Sequence, residues 1–239
     1  MPKLTSISSF LLVSLLFISI FTTPALAYRG DPLLVELPDV PAPPGSSWNW
    51  VSRQMSYNGL PMSIKMFEVL GQYRDVEQFY SNLWKTTGHG KTDARDFGVY
   101  RIMGYELRGI YVSVQFRQED NWVRGKIVVS ESPNKRRPNF KTKLPKPPSS
   151  TVASVVESLD RGKRAETVTI ESNKSVAFNK QYYENQLRSR EWSLVYASGD
   201  GKNGSVQHYQ KGSEQLQITI KKLTGIDNNR SEILIHWIK

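Results

Sequence analysis

The sequence predicts an α+β protein made of two tandem modules, each a curved antiparallel sheet packed on one amphipathic helix. Three observations predict it. Proline-rich tracts divide the chain at 28–47 and 133–150, period-two runs bounded by turn residues mark strands between and after them, and each half holds a stretch of helical spacing with an aromatic stripe.

In the first half, Trp50 to Tyr57 and Met62 to Val69 have strand character and are joined by Asn58-Gly59, a tight-turn pair, so they predict a hairpin. Asp75 then stands as an N-cap. Val76, Phe79, Tyr80, Leu83 and Trp84 follow at three- and four-residue spacings and stop before Gly88 and Gly90, which predicts an amphipathic helix. Phe97 to Leu107, Ile110 to Gln118 and Trp122 to Ser130 complete a three-stranded meander. Its middle strand alternates Ile110, Val112, Val114 and Phe116 against Tyr111, Ser113, Gln115 and Arg117.

The second half repeats the order. Thr167 to Ile170 predicts a short strand and Ser175 to Trp192 a helix. Strands follow at Trp192 to Ala197, Ser205 to Tyr209, Gln215 to Lys222 and Glu232 to Lys239. Gln78-Phe79-Tyr80 with Leu83, against Gln181-Tyr182-Tyr183 with Leu187, gives the helices a shared core pattern and suggests two related units.

The chain opens with Lys3, an apolar run from Phe10 to Phe21, and Ala25-x-Ala27, the layout of a secretory signal over 1–27 with cleavage after Ala27. The apolar run is too short to span a bilayer. A proline-rich leader is expected over 28–47, the first module over 48–132, a basic proline-rich linker over 133–150 and the second module over 151–239. The linker is expected to join independently folding modules without entering either core, because its prolines deny it a ladder and its like charges extend it. The expected location is periplasmic or secreted, with no transmembrane segment after cleavage. There is no Cys, hence no disulfide and no thiolate metal site, and the formal net charge of +10 favours anionic surfaces.

Phe79-Tyr80-x-x-Leu83, and Tyr182-Tyr183-x-x-x-Leu187 running to Trp192, resemble the helix of small helix-grip modules in bacterial envelope proteins. In tandem they resemble the modules of the lipoprotein that belongs to the outer-membrane barrel assembly machine. The family's lipid anchor has no counterpart, since no Cys follows the signal. The resemblance implies a non-catalytic envelope accessory, protein complexes as partners and no cofactor.

His89, His208 and His236 do not stand at metal-ligand spacing, and the chain has no G-x-S-x-G, P-loop or G-x-G-x-x-G. No catalytic, metal or cofactor residues are assigned, and a non-enzymatic protein is expected. Lys135, Arg136, Arg137, Lys141, Lys143 and Lys146 are the candidate contact for an anionic envelope surface. Nucleic acid is not the expected partner, because aromatic interleaving in that tract is confined to Phe140. Trp48 and Trp50, on one face of a strand, are either a docking anchor or the lid of a core.

These features predict an exported adapter or accessory subunit of a bacterial envelope machine for secretion, pilus or outer-membrane assembly. The alternative is a periplasmic binding module for a lipid, glycan or other small apolar ligand. Phe79, Tyr80, Tyr182 and Tyr183 would then line a cavity between helix and sheet.

Overall fold

The computed structural model describes residues 30–86, 93–135, 137–160, 162–224 and 229–239. The expected signal and its cleavage site, and His89, lie outside the described residues. The first half runs β1 (Ser47–Tyr57), β2 (Leu60–Leu70), α1 (Tyr73–Thr86), β3 (Asp93–Phe97), β4 (Tyr100–Leu107), β5 (Ile110–Glu119) and β6 (Trp122–Glu131). The second runs β7 (Ser150–Asp160), β8 (Lys163–Ser172), α2 (Val176–Arg188), β9 (Ser193–Ser198), β10 (Gly204–Lys211), β11 (Glu214–Lys222) and β12 (Ser231–Ile238). Both halves therefore read hairpin, helix, four strands.

The twelve described strands form one sheet, ordered β3-β4-β5-β6-β2-β1-β7-β8-β12-β11-β10-β9. Outward from the centre, the two halves have the same order, so a pseudo-twofold axis passes between β1 and β7. These two strands pair antiparallel, from Met55 opposite Ser158 to Tyr57 opposite Val156.

The expected fold class, an α+β protein of two separate sheet-and-helix modules, is overturned by this sheet. Among the described residues there are twelve antiparallel strands and two α-helices, so this part of the chain is nearly all-β. The physical reason lies in β7. A bulge between Val152 and Ser154 breaks its alternation, and Ser150, Ser154 and Ser158 dilute its apolar pattern. The strand is therefore hard to see in the sequence, yet it is the one that fuses the halves. The expected single strand from Phe97 to Leu107 is likewise two strands, turning at Gly98, whose φ of 61° lies in the left-handed region.

Each helix covers one half of the sheet's inner face. Val76, Tyr80 and Trp84 of α1 pack with Phe67, Met103, Val112, Val114, Phe116 and Ile127. Val176, Tyr183 and Leu187 of α2 pack with Val168, Ile170, Leu216, Ile218, Ile233 and Ile235. Asp75 is not the N-cap of α1; it lies inside the first turn and its Oδ2 accepts from the Gln72 amide at 3.0 Å, the reach-back half of a capping box. Ser175 does cap α2, accepting from the Phe178 amide at 3.3 Å.

The two proline-rich tracts are structural counterparts. Val40-Pro41-Ala42-Pro43-Pro44-Gly45-Ser46 matches Leu144-Pro145-Lys146-Pro147-Pro148-Ser149-Ser150. In each, the final serine hydroxyl donates to the carbonyl three residues back at 2.6 Å, Pro43 in one and Pro147 in the other. Gly45 and Ser149 share the left-handed conformation, with φ of 74° and 58°. Val40 and Leu144 are both buried, one in each core. The buried hydroxyl of Tyr80 donates to the Pro41 carbonyl and that of Tyr183 to the Pro145 carbonyl, both at 3.1 Å. Hence the linker does enter a core, contrary to expectation. Its prolines are compatible with this because it offers carbonyls to tyrosines and needs no ladder of its own.

Candidate functional site

The face of the sheet turned away from the helices is open. In the second half, β10 buries Ser205, Gln207 and Tyr209 on the helix side, so Val206, His208 and Gln210 point the other way. Registers across the strands set Tyr196 beside His208, His208 beside Gln217, Gln217 beside His236 and His236 beside Thr167. The row crosses five strands. The Tyr196 and His208 rings meet edge to face with centroids 5.5 Å apart, and the Nδ1 of His236 lies 2.9 Å from the Thr167 hydroxyl. Tyr196, His208, Gln217 and His236 of this row, with Val195, Tyr209, Gln210, Gln215, Leu216 and Ile238, line a concavity of about 450 Å³.

Its lining contains no carboxylate. Amides, imidazoles and a phenol both donate and accept, and they project from neighbouring strands of a continuous ladder, so they are held in fixed positions. His208 and His236 are separated by β11, which keeps their imidazoles two strand spacings apart. Among the described residues no group of three or more His, Asp or Glu is placed to hold a metal ion.

On the helix side of the same strands, Gln207 Nε2 donates to Glu184 Oε1 of α2 at 3.1 Å. The Gln207 Oε1, Tyr209 hydroxyl and Ser205 hydroxyl are buried without a protein partner. Burial, with Glu184 adding to it, pushes the Tyr209 phenol up to about 12. Tyr80 and Tyr183 are fully buried and their phenols are pushed up by that burial. They fill space and do not line an open groove; Phe79 and Tyr182 pack at the margins of the two cores.

Trp48 and Trp50 are brought together over a buried cation. Their rings meet edge to face with centroids 6.3 Å apart, and Lys65 Nζ sits 4.5 Å from one centroid and 4.6 Å from the other. Lys65 is 3 % exposed; its ammonium donates to Asp39 Oδ1 at 2.5 Å and to the Val40 carbonyl at 3.0 Å. The leader thus supplies the anion and the strands supply the cation and its aromatic cover. Trp48 itself stays 51 % exposed. Beside it, Glu36, Asp39, Trp50, Arg53 and Gln54 line a second groove of about 410 Å³ between leader and β1.

Of the basic candidates, Arg137, Lys141, Lys143 and Lys146 are exposed, whereas Arg136 and the Lys135 side chain lie outside the described residues. Arg137 lines an apolar groove of about 150 Å³ with Tyr57, Leu60, Pro138 and Phe140. The Lys146 carbonyl accepts from the Tyr182 hydroxyl at 2.8 Å, so the strip is anchored while its charges face water. The leader also reaches the other half, where Asp31 pairs with Arg164. Partial burial pushes the Asp31 carboxyl up, but Arg164 and the Leu33 amide outweigh this and hold it below the usual carboxylate range.

The sequence pattern places His208 and His236 in strands but does not join them to each other or to Tyr196 and Gln217. Each residue's face was readable from alternation; their common row required the registers of β9 to β12.

Residues 152–231 match the family model described as START domain-like, which points to a helix-grip-like fold for this part of the chain. No curated protein and no solved structure matches the chain.

Proposed function

We propose, from a helix-grip-like second half joined to a structural repeat of itself, that this chain is an exported, non-catalytic adapter or accessory subunit of a bacterial envelope machine. In this reading it resembles the tandem modules of the barrel-assembly lipoprotein in role as well as in its helix motifs. The observation that carries the reading is the open face: a continuous twelve-stranded sheet presents a concavity of tyrosine, histidine and glutamine side chains with neither of the described helices over it. Fixed donors and acceptors beside exposed apolar residues suit recognition of a protein surface. Exposed Arg137, Lys141, Lys143 and Lys146 add a salt-sensitive attraction to anionic envelope components. Affinity purification from crosslinked envelopes tests it. A stable membrane-associated partner should be recovered, and Gln217→Lys should reduce its yield; recovery of the protein alone would sink the adapter reading.

The ligand-binding alternative draws on one observation, the three buried polar atoms of Ser205, Gln207 and Tyr209 that face α2 without a protein partner. Native mass spectrometry of protein taken from its own host separates the readings. A co-purifying small molecule supports the alternative, and a clean apo mass removes it.

A further inference from the structure

The two hairpins that meet at the centre of the sheet close on opposite chemistry. Tyr57 faces Leu60 across the Asn58-Gly59 turn, whereas Asp160 faces Lys163 at the equivalent turn of β7 and β8. The frame therefore accepts a charged pair at this position and does not call for the apolar one. The linker closes over the apolar turn. The Asn139 amide donates to the Asn58 carbonyl at 2.7 Å, and a Cβ on Gly59, whose φ is 78°, would lie 2.9 Å from the Asn139 Cβ; a Cβ on Gly162 would meet open space. This close approach completes the groove of about 150 Å³ in which Tyr57, Leu60, Pro138 and Phe140 meet Arg137. Tyr57 stays 46 % exposed and Phe140 43 %. From Pro133 to Ser150 the chain holds no acidic residue.

We propose that this corner docks on an anionic bilayer surface, where Tyr57, Leu60 and Phe140 wedge into the boundary between headgroups and acyl chains while Arg137, Lys141 and Lys143 contact lipid phosphates. The inference rests on the envelope location in the adapter reading and adds the surface and the residues that enter it. Charge complementarity selects the occupant. Exposed cations at 137, 141 and 143, on a segment without acids, are attracted to a negative surface. Of the carboxylates beside Arg137, Asp31 is already paired with Arg164, which leaves Glu157 against three cations. An acidic protein segment would satisfy the cations but leave the rings of Tyr57 and Phe140 in water. A bilayer interface takes both, as it does for amphipathic segments with basic and aromatic faces. The groove is also well below the roughly 300 Å³ of the smallest pockets that bury a ligand, so it suits entry into a lipid surface and not extraction of a lipid from it.

Flotation of the purified protein with phosphatidylcholine vesicles, with and without about 30 % phosphatidylglycerol, tests it. Binding is expected to the anionic vesicles and not to the zwitterionic ones. Tyr57→Asp combined with Leu60→Lys copies the closing pair of the second hairpin and leaves the net charge unchanged; it should weaken binding about tenfold, and Phe140→Ala about fivefold. Because the chain has no Cys, Phe140→Cys carries an apolar fluorophore as its single label. On anionic vesicles this label should shift to the blue and be quenched by a lipid-borne quencher, whereas the same label at Phe97→Cys, on the edge strand β3, should not. Absence of binding to anionic vesicles overturns the proposal. So does binding that is indifferent to the hairpin swap and leaves the label at position 140 unquenched, since that is adsorption by charge alone. A soluble polyglutamate that shifts the label where vesicles do not assigns the strip to an acidic protein segment and overturns it too. A crosslinked partner recovered without vesicle binding keeps the adapter reading and removes this one; vesicle binding with no partner does the reverse.

Discussion

The two halves place different chemistry at one position of the same frame. In the first, Trp50 stands opposite Lys65 across β1 and β2; in the second, Val155 stands opposite Val168 across β7 and β8. The aliphatic pair is ordinary core. The other holds a buried ammonium and needs a carboxylate and a carbonyl from the leader and two indoles to do so. A charge removed from water is tolerated only when such groups replace its hydration. The comparison shows that the proline-rich tract plugs either core, and that in the first half it also neutralises a cation.

Removing the plug where it is purely apolar should have the largest effect. Leu144→Ala is expected to cost about 3 kcal/mol in chemical denaturation, by lost burial and the cavity left behind. A cost near zero would restore the picture of a free spacer. Next comes the cation: Asp39→Ala leaves Lys65 without its anion and should cost about 2 kcal/mol, somewhat below a fully buried pair because Asp39 is half exposed. Lys65→Met in the Asp39→Ala background should recover most of that loss; if it does not, the ammonium is not the source of the cost.

Smaller and equal effects test the equivalence of the halves. Tyr80→Phe and Tyr183→Phe each remove one hydroxyl bond to a proline carbonyl, and each should cost about 1 kcal/mol. Clearly unequal losses would break the symmetry inferred from these bonds. Changing Arg137, Lys141, Lys143 and Lys146 to Gln should alter stability by less than about 0.5 kcal/mol, while binding to vesicles containing anionic lipid falls and added salt reproduces the fall. The smallest effect concerns the β9–β10 turn. Backbone amides of Asn203 and Lys202 hold the Asp200 carboxyl at about 2, well under its ordinary 3.8. A depressed folded value contributes stability that is present above 3.8 and lost as pH falls toward 2. Asp200→Ala should therefore differ from the parent at pH 7 and converge with it near pH 2.

Much of the local structure was legible. Asn58-Gly59 marked the first hairpin, Ile110 to Phe116 marked a half-buried strand, and the aromatic spacing marked both helices, since each signal acts within a few residues. The proline tracts were visible too, and Pro41-x-Pro43-Pro44-x-Ser46 against Pro145-x-Pro147-Pro148-x-Ser150 was a readable repeat. Their role was misjudged because proline reports what a segment cannot do and says nothing of which carbonyls a distant tyrosine will use. The cage around Lys65 was only half legible: alternation put Trp48 and Trp50 on one face, but nothing local identified Asp39 as the partner anion.

The sequence by itself determined the repeated order of elements, the turns, the inward faces of most strands and the positive charge of the linker, all of which follow from short-range geometry and composition. The tertiary structure alone decided that β7 exists as a strand and fuses the halves at Met55 to Tyr57, and that His208 and His236 share one row. These are facts of register and neighbourhood, set by pairings between residues far apart in the chain, and a pattern with a period of two residues does not specify which strand it will meet.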